Sequence, residues 1–168
     1  ALSDTQLNAT VTGVGGASLS GTFVYNPASG AMFTTVSTQE LSTAFAPTDT
    51  TNYNSISATT SINIIPAAIA KLQISADPTN LSIASTSVIT VTGQDQYGNT
   101  TTNNNTTQPV LSISGDGGSL ASTVLTLTSG VATTSLSKIS AGVARVNASS
   151  GSLIPTEVAV TFTPGPST

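Results

Sequence analysis

Apolar and polar residues alternate with a period of two along most of this chain. Over residues 40–46, for example, Leu41, Thr43 and Phe45 fall on one face of an extended strand, and the residues between them fall on the other. No stretch of helical length keeps apolar residues at a spacing of three and four. The pattern therefore predicts an all-β protein with essentially no helix.

Five alternating segments occupy the first part of the chain. They cover residues 7–13, 21–25, 31–36, 40–46 and 56–65. Glycine and proline are concentrated between them, at 13–16 and 27–30, where turns are expected. Short strands at this spacing are typical of an antiparallel β-sandwich.

A change of pattern after residue 65 indicates a domain boundary. Residues 66–70 read PAAIA and are interpreted as a short linker, and a second series of strands follows over residues 71–164, with a tail at 165–168. The predicted strands of this second module are 71–77, 86–96, 107–114, 123–127, 131–137, 141–149 and 157–163. Turns are expected at 97–101, 115–119 and 128–130.

Two ordered sets of motifs resemble repeats of bacterial surface proteins. In residues 2–65 the motifs are QLNAT, GTFVYNPASG and FAPTDTTNYNSISATTSINI, which resemble a tandem immunoglobulin-like repeat of very large surface proteins. In residues 71–164 they are VTGQDQYGN, SGVATTSL and AGVARVNAS, which resemble the invasin and intimin type of immunoglobulin-like domain. The resemblance implies two tandem immunoglobulin-like sandwiches in a structural or adhesive module, at the cell surface or outside the cell, with no catalytic residue.

The first segment departs from that repeat at its beginning. Repeats of this kind have an additional apolar strand ahead of the position of ALSDTQLNAT. A small sandwich without one strand exposes unpaired backbone groups and a strip of core. We expect the strip to be covered by the chain's own C-terminal tail, by a segment that precedes residue 1 in a longer chain, or by a strand donated by a neighbouring subunit.

Charge and composition exclude several classes of function. Charged residues make up 6% of the chain, against about 25% in an average soluble domain. Seven acids face three bases, Lys71, Lys138 and Arg145, so no basic patch for nucleic acid can form. No apolar run approaches the ~20 residues that span a bilayer, so no membrane insertion is expected.

The inventory of reactive side chains predicts neither an enzyme nor a cofactor or metal site. Histidine and cysteine are absent, which removes the usual base for a serine nucleophile and the commonest metal ligands. A glycosidase-like carboxylate pair is the remaining alternative. The acids sit singly and mostly in predicted turns, at Asp4, Glu40, Asp49, Asp77, Asp95, Asp116 and Glu157.

Two sites have candidate structural roles. Tyr53 lies between two predicted strands and is interpreted as a tyrosine corner, with ligand stacking as the alternative. Asp95, Tyr97, Gly98 and Asn99 are interpreted as a hairpin turn. Calcium binding is the alternative for this turn, but one carboxylate is too few for that ion.

The expected partners follow from the resemblance and from the polar loops. Candidate N-glycosylation sites occur at Asn8, Asn80, Asn99, Asn104, Asn105 and Asn147. We expect a non-catalytic structural module of an extracellular appendage, filament or surface layer, which binds copies of itself or neighbouring repeats, with donor-strand complementation as a candidate mode of polymerisation. The alternative is an adhesin that binds a glycan or a host protein through loops 100–107 or 115–119.

Overall fold

The computed structural model describes residues 1–165 and divides the chain into two units, Ala1–Ile65 and a second that begins at Pro66. Regular structure within the described residues consists of eleven strands and one 3-10 turn, Val14–Gly16. The prediction of an all-β chain is confirmed. Residues 166–168, most of the predicted tail, lie outside the described residues.

The first unit contains one antiparallel sheet of three strands. In order across the sheet these are β1 (Gly21–Asn26), β2 (Thr38–Pro47) and β3 (Ile56–Asn63). Phe45 of β2 lies opposite Phe23 on one side and Ile56 on the other, so all three side chains share a face. On that face Leu41 packs with Leu2 and Leu7, which come from the irregular N-terminal segment.

The predicted strands at 7–13 and 31–36 are wrong as strands. Both segments keep the alternating burial that was read from the sequence, since Leu7 is buried while Asn8 and Thr10 are exposed. They carry no ladder, however, beyond an isolated bridge between Thr12 and Ser18. Alternation reports which side chains face the sheet, whereas a strand also needs a hydrogen-bonding neighbour. The first unit therefore has one regular sheet and an irregular second layer.

The second unit is a sandwich of two four-stranded sheets. One has the order β4-β6-β9-β8 and the other the order β5-β11-β10-β7. Every pair is antiparallel except β5 with β11, which is parallel. The strands are β4 (Lys71–Asp77), β5 (Asn80–Ser82), β6 (Thr86–Gln94), β7 (Val110–Gly115), β8 (Ser119–Leu120), β9 (Val131–Ser137), β10 (Gly142–Ser149) and β11 (Thr156–Thr163). Two such sheets enclosing one core form an immunoglobulin-like arrangement.

The core of the second unit comes from the alternating positions of both sheets. Ile89 and Val91 of β6 and Val146 and Val160 of the opposite sheet are fully buried. Alternation identified these strands because each has one face on the core and one face on solvent.

Four details of the second unit differ from the prediction. The segment 123–127 is not a strand, although backbone hydrogen bonds join it to residues 107–111 and Leu125 and Leu127 are buried. β5 was not predicted, and β8 begins inside the predicted turn 115–119. Residues 66–70 belong to this unit, since the Ala70 N–H donates to the Gln94 carbonyl at 2.8 Å.

Candidate functional site: an open groove in the first unit

A groove runs along the core-facing side of the first sheet. Its floor is formed by Leu41, Thr43 and Phe45 of β2, one wall by residues 6–11 and the other by β3. Two cavities of about 160 Å³ and about 150 Å³ make up the groove, and they share Ala9, Thr43 and Ala58 in their linings. No charged residue lies in the lining of the groove.

A row of aromatic side chains positions the wall formed by residues 6–11. The rings of Phe23 and Phe45 are 4.8 Å apart, and Tyr25 stacks beside Phe23 at 6.1 Å. The hydroxyl of Tyr25 accepts a hydrogen bond from the Ala9 N–H at 3.0 Å. This bond holds an irregular segment that has no ladder of its own. The sequence does not predict this bond, because no local signal links Tyr25 to a residue sixteen positions away.

The opposite wall of the groove is exposed. Ile56 of β3 is 61% exposed although it lies on the core-facing side of the sheet. Ala58 and Thr60, which share that side, are exposed as well. Apolar side chains on the inner face of a sandwich are normally covered by the second layer. Here the cover stops at residues 6–11.

The outer edge of β3 is also unpaired. Among residues 1–165, β3 forms a ladder with β2 and with no other strand. The eight residues of β3 include no charged residue and no proline, which are the usual devices that prevent an edge strand from adding a partner. The groove and this edge adjoin each other along β3.

Tyr53, the predicted tyrosine corner, lies beside Gly13. A Cβ atom added at Gly13 would stand 3.0 Å from the Tyr53 hydroxyl oxygen, so the phenol closes on that backbone. No hydrogen bond of this hydroxyl is found within the described residues, and the corner stays a prediction. The loop before Tyr53 is held by Asp49, whose carboxylate accepts from the Asn52 side chain at 2.7 Å and from the backbone N–H groups of Asn52 and Thr51. These bonds, led by the Asn52 side chain, lower the pKa of Asp49.

The four residues of the predicted hairpin turn follow β6 of the second unit. Gly98 has a φ of +92°, a left-handed conformation that glycine adopts without strain. Asp95 is buried, and its carboxylate accepts from the backbone N–H groups of Tyr97 and Asn99 at 2.9 Å and of Ala67 at 3.1 Å. The Asn99 side-chain amide donates to both carboxylate oxygens.

These contacts determine the charge state of Asp95. Burial acts to raise its pKa, but the hydrogen bonds from Asn99, Ala67 and Tyr97 outweigh that effect and lower the pKa overall. With both oxygens occupied by donors, the carboxylate serves to fix the turn. Within residues 1–165 no three or more acidic side chains come together in a group that could hold a metal ion.

The six candidate glycosylation sites differ in the surroundings of the amide nitrogen that would carry a sugar. The Nδ2 atoms of four sites donate hydrogen bonds, three within their own loops and that of Asn147 to Ser114 of the neighbouring strand: Asn8, Asn99, Asn104 and Asn147. In the part of the chain that the structure describes, no such bond is found for Nδ2 of Asn80 or Asn105, and both residues are exposed. Glycosylation remains a prediction, and these two positions fit it best.

A second cavity, of about 340 Å³, lies in the second unit beside the loop 115–119. It is lined by Asp116, Gly118, Ser119 and residues 137–140. Lys138 is buried, and its ammonium donates to the carbonyl of Asp116 and, at 3.0 Å, to the hydroxyl of Ser140. The other polar loop, 100–107, is ordered by Asn104, whose side chain both accepts from and donates to Thr107.

Comparison with known proteins shows the fold alone. No family model matches the chain, and no curated protein matches it. Among solved structures, the D00-D0 domain of intimin is similar over 75% of this chain and 64% of its own, with a TM-score of 0.52 and 17% identity. A glycosyl hydrolase family 2 member from Bacteroides cellulosilyticus matches 74% of this chain and 17% of its own, with a TM-score of 0.54 and 17% identity.

A third similar structure is a β-glucuronidase of glycoside hydrolase family 2, with a TM-score of 0.57 and 13% identity over 77% of this chain and 14% of its own. The chain thus spans less than two thirds of each of these proteins. The intimin likeness confirms the predicted relation to bacterial immunoglobulin-like domains at the level of fold. No helix in residues 1–165 is long and apolar enough to span a bilayer.

Proposed function

We propose that this chain is a non-catalytic structural module of an extracellular appendage, filament or surface layer, and that its first unit is completed by a strand from a neighbouring subunit. The observation that supports the proposal is the groove described above, together with the unpaired edge of β3. An inner face that leaves Ile56 61% exposed is unfavourable in water. A donated strand covers that face and pairs the edge at the same time.

Assembly by strand addition divides affinity and specificity between two sets of contacts. Backbone hydrogen bonds along an added strand supply affinity that depends little on sequence. Side chains at alternate positions enter the groove and select the strand. The lining has no charged group, so joints of this kind depend little on salt concentration.

Electron microscopy of native material tests the assembly. Ordered fibres or sheets are expected for the natural protein. The variant Ala58→Arg, which places a guanidinium in the groove, should abolish them, because burying that charge without a partner is costly. Ala44→Arg is the matched control, since Ala44 is also an exposed alanine of the same sheet but faces away from the groove. Isolated particles in the natural protein, or fibres in both variants, would contradict the proposal.

The alternative function is adhesion to a glycan or a host protein through the loops of the second unit. The cavity beside Lys138 favours it, because a buried ammonium with hydroxyl groups around it suits an acidic sugar. Screening the full chain against a glycan array separates the two functions. Binding that the substitution Ser119→Arg abolishes would support adhesion.

A further inference from the structure

We infer that the donated strand has two parts: the first lies in the groove antiparallel to residues 7–11, and the second crosses to the outer edge of β3 and pairs with it in parallel. This inference rests on the proposed function, that the first unit receives a strand from a neighbouring subunit. It adds the path, the direction and the side-chain pattern of that strand.

The second unit provides the template for this path. Its strands β7, β10 and β11 lie in one sheet with the same order and the same antiparallel directions as β1, β2 and β3. β4 pairs antiparallel with β6 and lies against β11 in the opposite layer. The chain then crosses to the other sheet, where β5 pairs in parallel with the outer edge of β11.

In the first unit the same two positions are open. Residues 7–11 correspond to β6, because each segment comes directly before the first strand of the compared sheet, β1 or β7. Leu7 faces its sheet as Ile89 of β6 does. The groove lies beside 7–11 and against β3, which is the position of β4 in the second unit. The free edge of β3 is the position of β5.

The burial of equivalent side chains shows what is missing. On the core-facing side of β11, Val160 is 0% and Phe162 is 1% exposed. On the core-facing side of β3, their counterparts Thr60 and Ile62 are exposed and half-buried, and further along the same side Ala58 is exposed and Ile56 is 61% exposed. The difference in exposure follows from the covering layer. β4 lies against the core-facing side of β11, whereas no strand of the first unit lies against that side of β3.

The first residues leave the groove accessible to a donated strand. The Leu2 N–H donates to the Ala31 carbonyl at 2.8 Å, and the Gly30 N–H donates to the Leu2 carbonyl at 2.9 Å. Neither Leu2 nor residues 30–31 line the groove. A strand from a neighbour therefore enters the groove without breaking these bonds.

The template also gives the chemistry of the donor. Residues 71–83 of this chain, KLQISADPTNLSI, carry apolar side chains at Leu72, Ile74 and Ala76, and again at Leu81 and Ile83. The two runs are separated by a polar crossing, which matches the path from groove to edge. A synthetic peptide of this sequence is therefore a suitable probe. A peptide of the same composition with its apolar residues made adjacent is the control.

The first measurement is peptide binding to the full chain by fluorescence anisotropy. We expect saturable binding of the probe, with affinity at least tenfold weaker for the control peptide and for the Ala58→Arg chain. The Ala44→Arg chain should bind within twofold of the natural chain. Both positions are exposed, so both variants are expected to fold, which circular dichroism checks. If the natural chain does not bind the probe, or if the Ala58→Arg chain binds it equally well, the proposed function itself is wrong.

The second measurement tests register and direction by disulfide capture at two peptide positions, Asn80→Cys and Ser82→Cys. With Asn80 beside Ser61, a parallel strand places Ser82 beside Asn63 of β3, and an antiparallel strand places it beside Thr59. In the second unit Asn80 lies opposite Thr161 of β11, and the inferred path places it opposite Ser61 of β3, which like Thr161 points away from the core. A peptide with Asn80→Cys should therefore form a disulfide with the Ser61→Cys chain and not with Ser57→Cys, which is exposed on the same side of β3 but four residues upstream. Capture by Ser57→Cys in place of Ser61→Cys would overturn the path and leave strand addition standing.

Discussion

The substitutions Ile56→Ala and Val160→Ala test the difference between the two units directly. Both residues lie on the core-facing side of the last strand of their unit, but Ile56 is 61% exposed and Val160 is fully buried. Val160→Ala removes two carbons from a packed site, which costs about 2–3 kcal/mol when the cavity is included. Ile56→Ala removes three carbons, but at 61% exposure only about 1 kcal/mol of burial is lost.

Covering the groove should increase the free-energy cost of Ile56→Ala and leave the cost of Val160→Ala unchanged. A donor that buries Ile56 adds the remaining part of its transfer free energy, about 1.4 kcal/mol. The Ile56→Ala chain should consequently bind the 71–83 peptide about tenfold more weakly than the natural chain. Val160→Ala should not change peptide affinity, since β11 is already covered by its own layer.

Hydrogen exchange measured by mass spectrometry suits this test because it reports each unit separately. Protection of residues 56–63 and of residues 156–163 is followed in each variant, with and without peptide. The reasoning is refuted if Ile56→Ala destabilises the free chain as much as Val160→Ala does. That result would mean that Ile56 is already buried and that the groove is closed in solution.

Three further substitutions test individual contacts. Tyr25→Phe removes the acceptor of the Ala9 N–H and should cost about 1 kcal/mol, seen as faster exchange of residues 7–11 with β2 unaffected. The pKa of Asp95 is lowered in the folded chain, so its stabilising effect is complete at neutral pH and is lost as the pH falls below about 4. The melting temperature should accordingly be flat from pH 7 to pH 5 and decline in stronger acid, and Asp95→Asn should remove much of that decline; a shift of more than ~10 °C between pH 7 and pH 5 would contradict the assignment. Arg145→Ala breaks a 2.9 Å ion pair with Glu157 whose side chains are 51% and 38% exposed, and it should change the free energy of unfolding by less than about 1 kcal/mol in urea titration.

Alternation in the sequence was sufficient to predict the strands that have both a buried face and a ladder. β9 was predicted with its observed bounds, Val131–Ser137, and β4 likewise over Lys71–Asp77. The same signal gave 7–13 as a strand because Leu7, Ala9 and Val11 do face the sheet. What the signal could not show is that no neighbouring strand lies beside this segment in the described residues.

The contacts that fix the sites are long-range and were beyond sequence reasoning. Asp95 was interpreted as a turn residue from the Gly-Asn that follows it, and its local bonds to Tyr97 and Asn99 are of that kind. The Asp95 carboxylate also accepts a hydrogen bond from the N–H of Ala67, which is 28 positions away. β5 was missed because three residues are too short to display a period of two. The parallel pairing that makes β5 informative is visible only in the sheet.

A weakly packed small domain and an incomplete one differ in where the apolar surface is exposed. Marginal packing would spread partial exposure over the whole inner face. In the first unit Leu41 and Phe45 are 5% and 3% exposed and Phe23, Tyr25 and Ile62 are half-buried, while Ile56 is 61% exposed. The exposed positions form one line along β3, next to an edge without a partner. One segment that follows the path of β4 and β5 would cover the exposed side chains and pair with the free edge. The first unit therefore lacks the equivalent of a single strand.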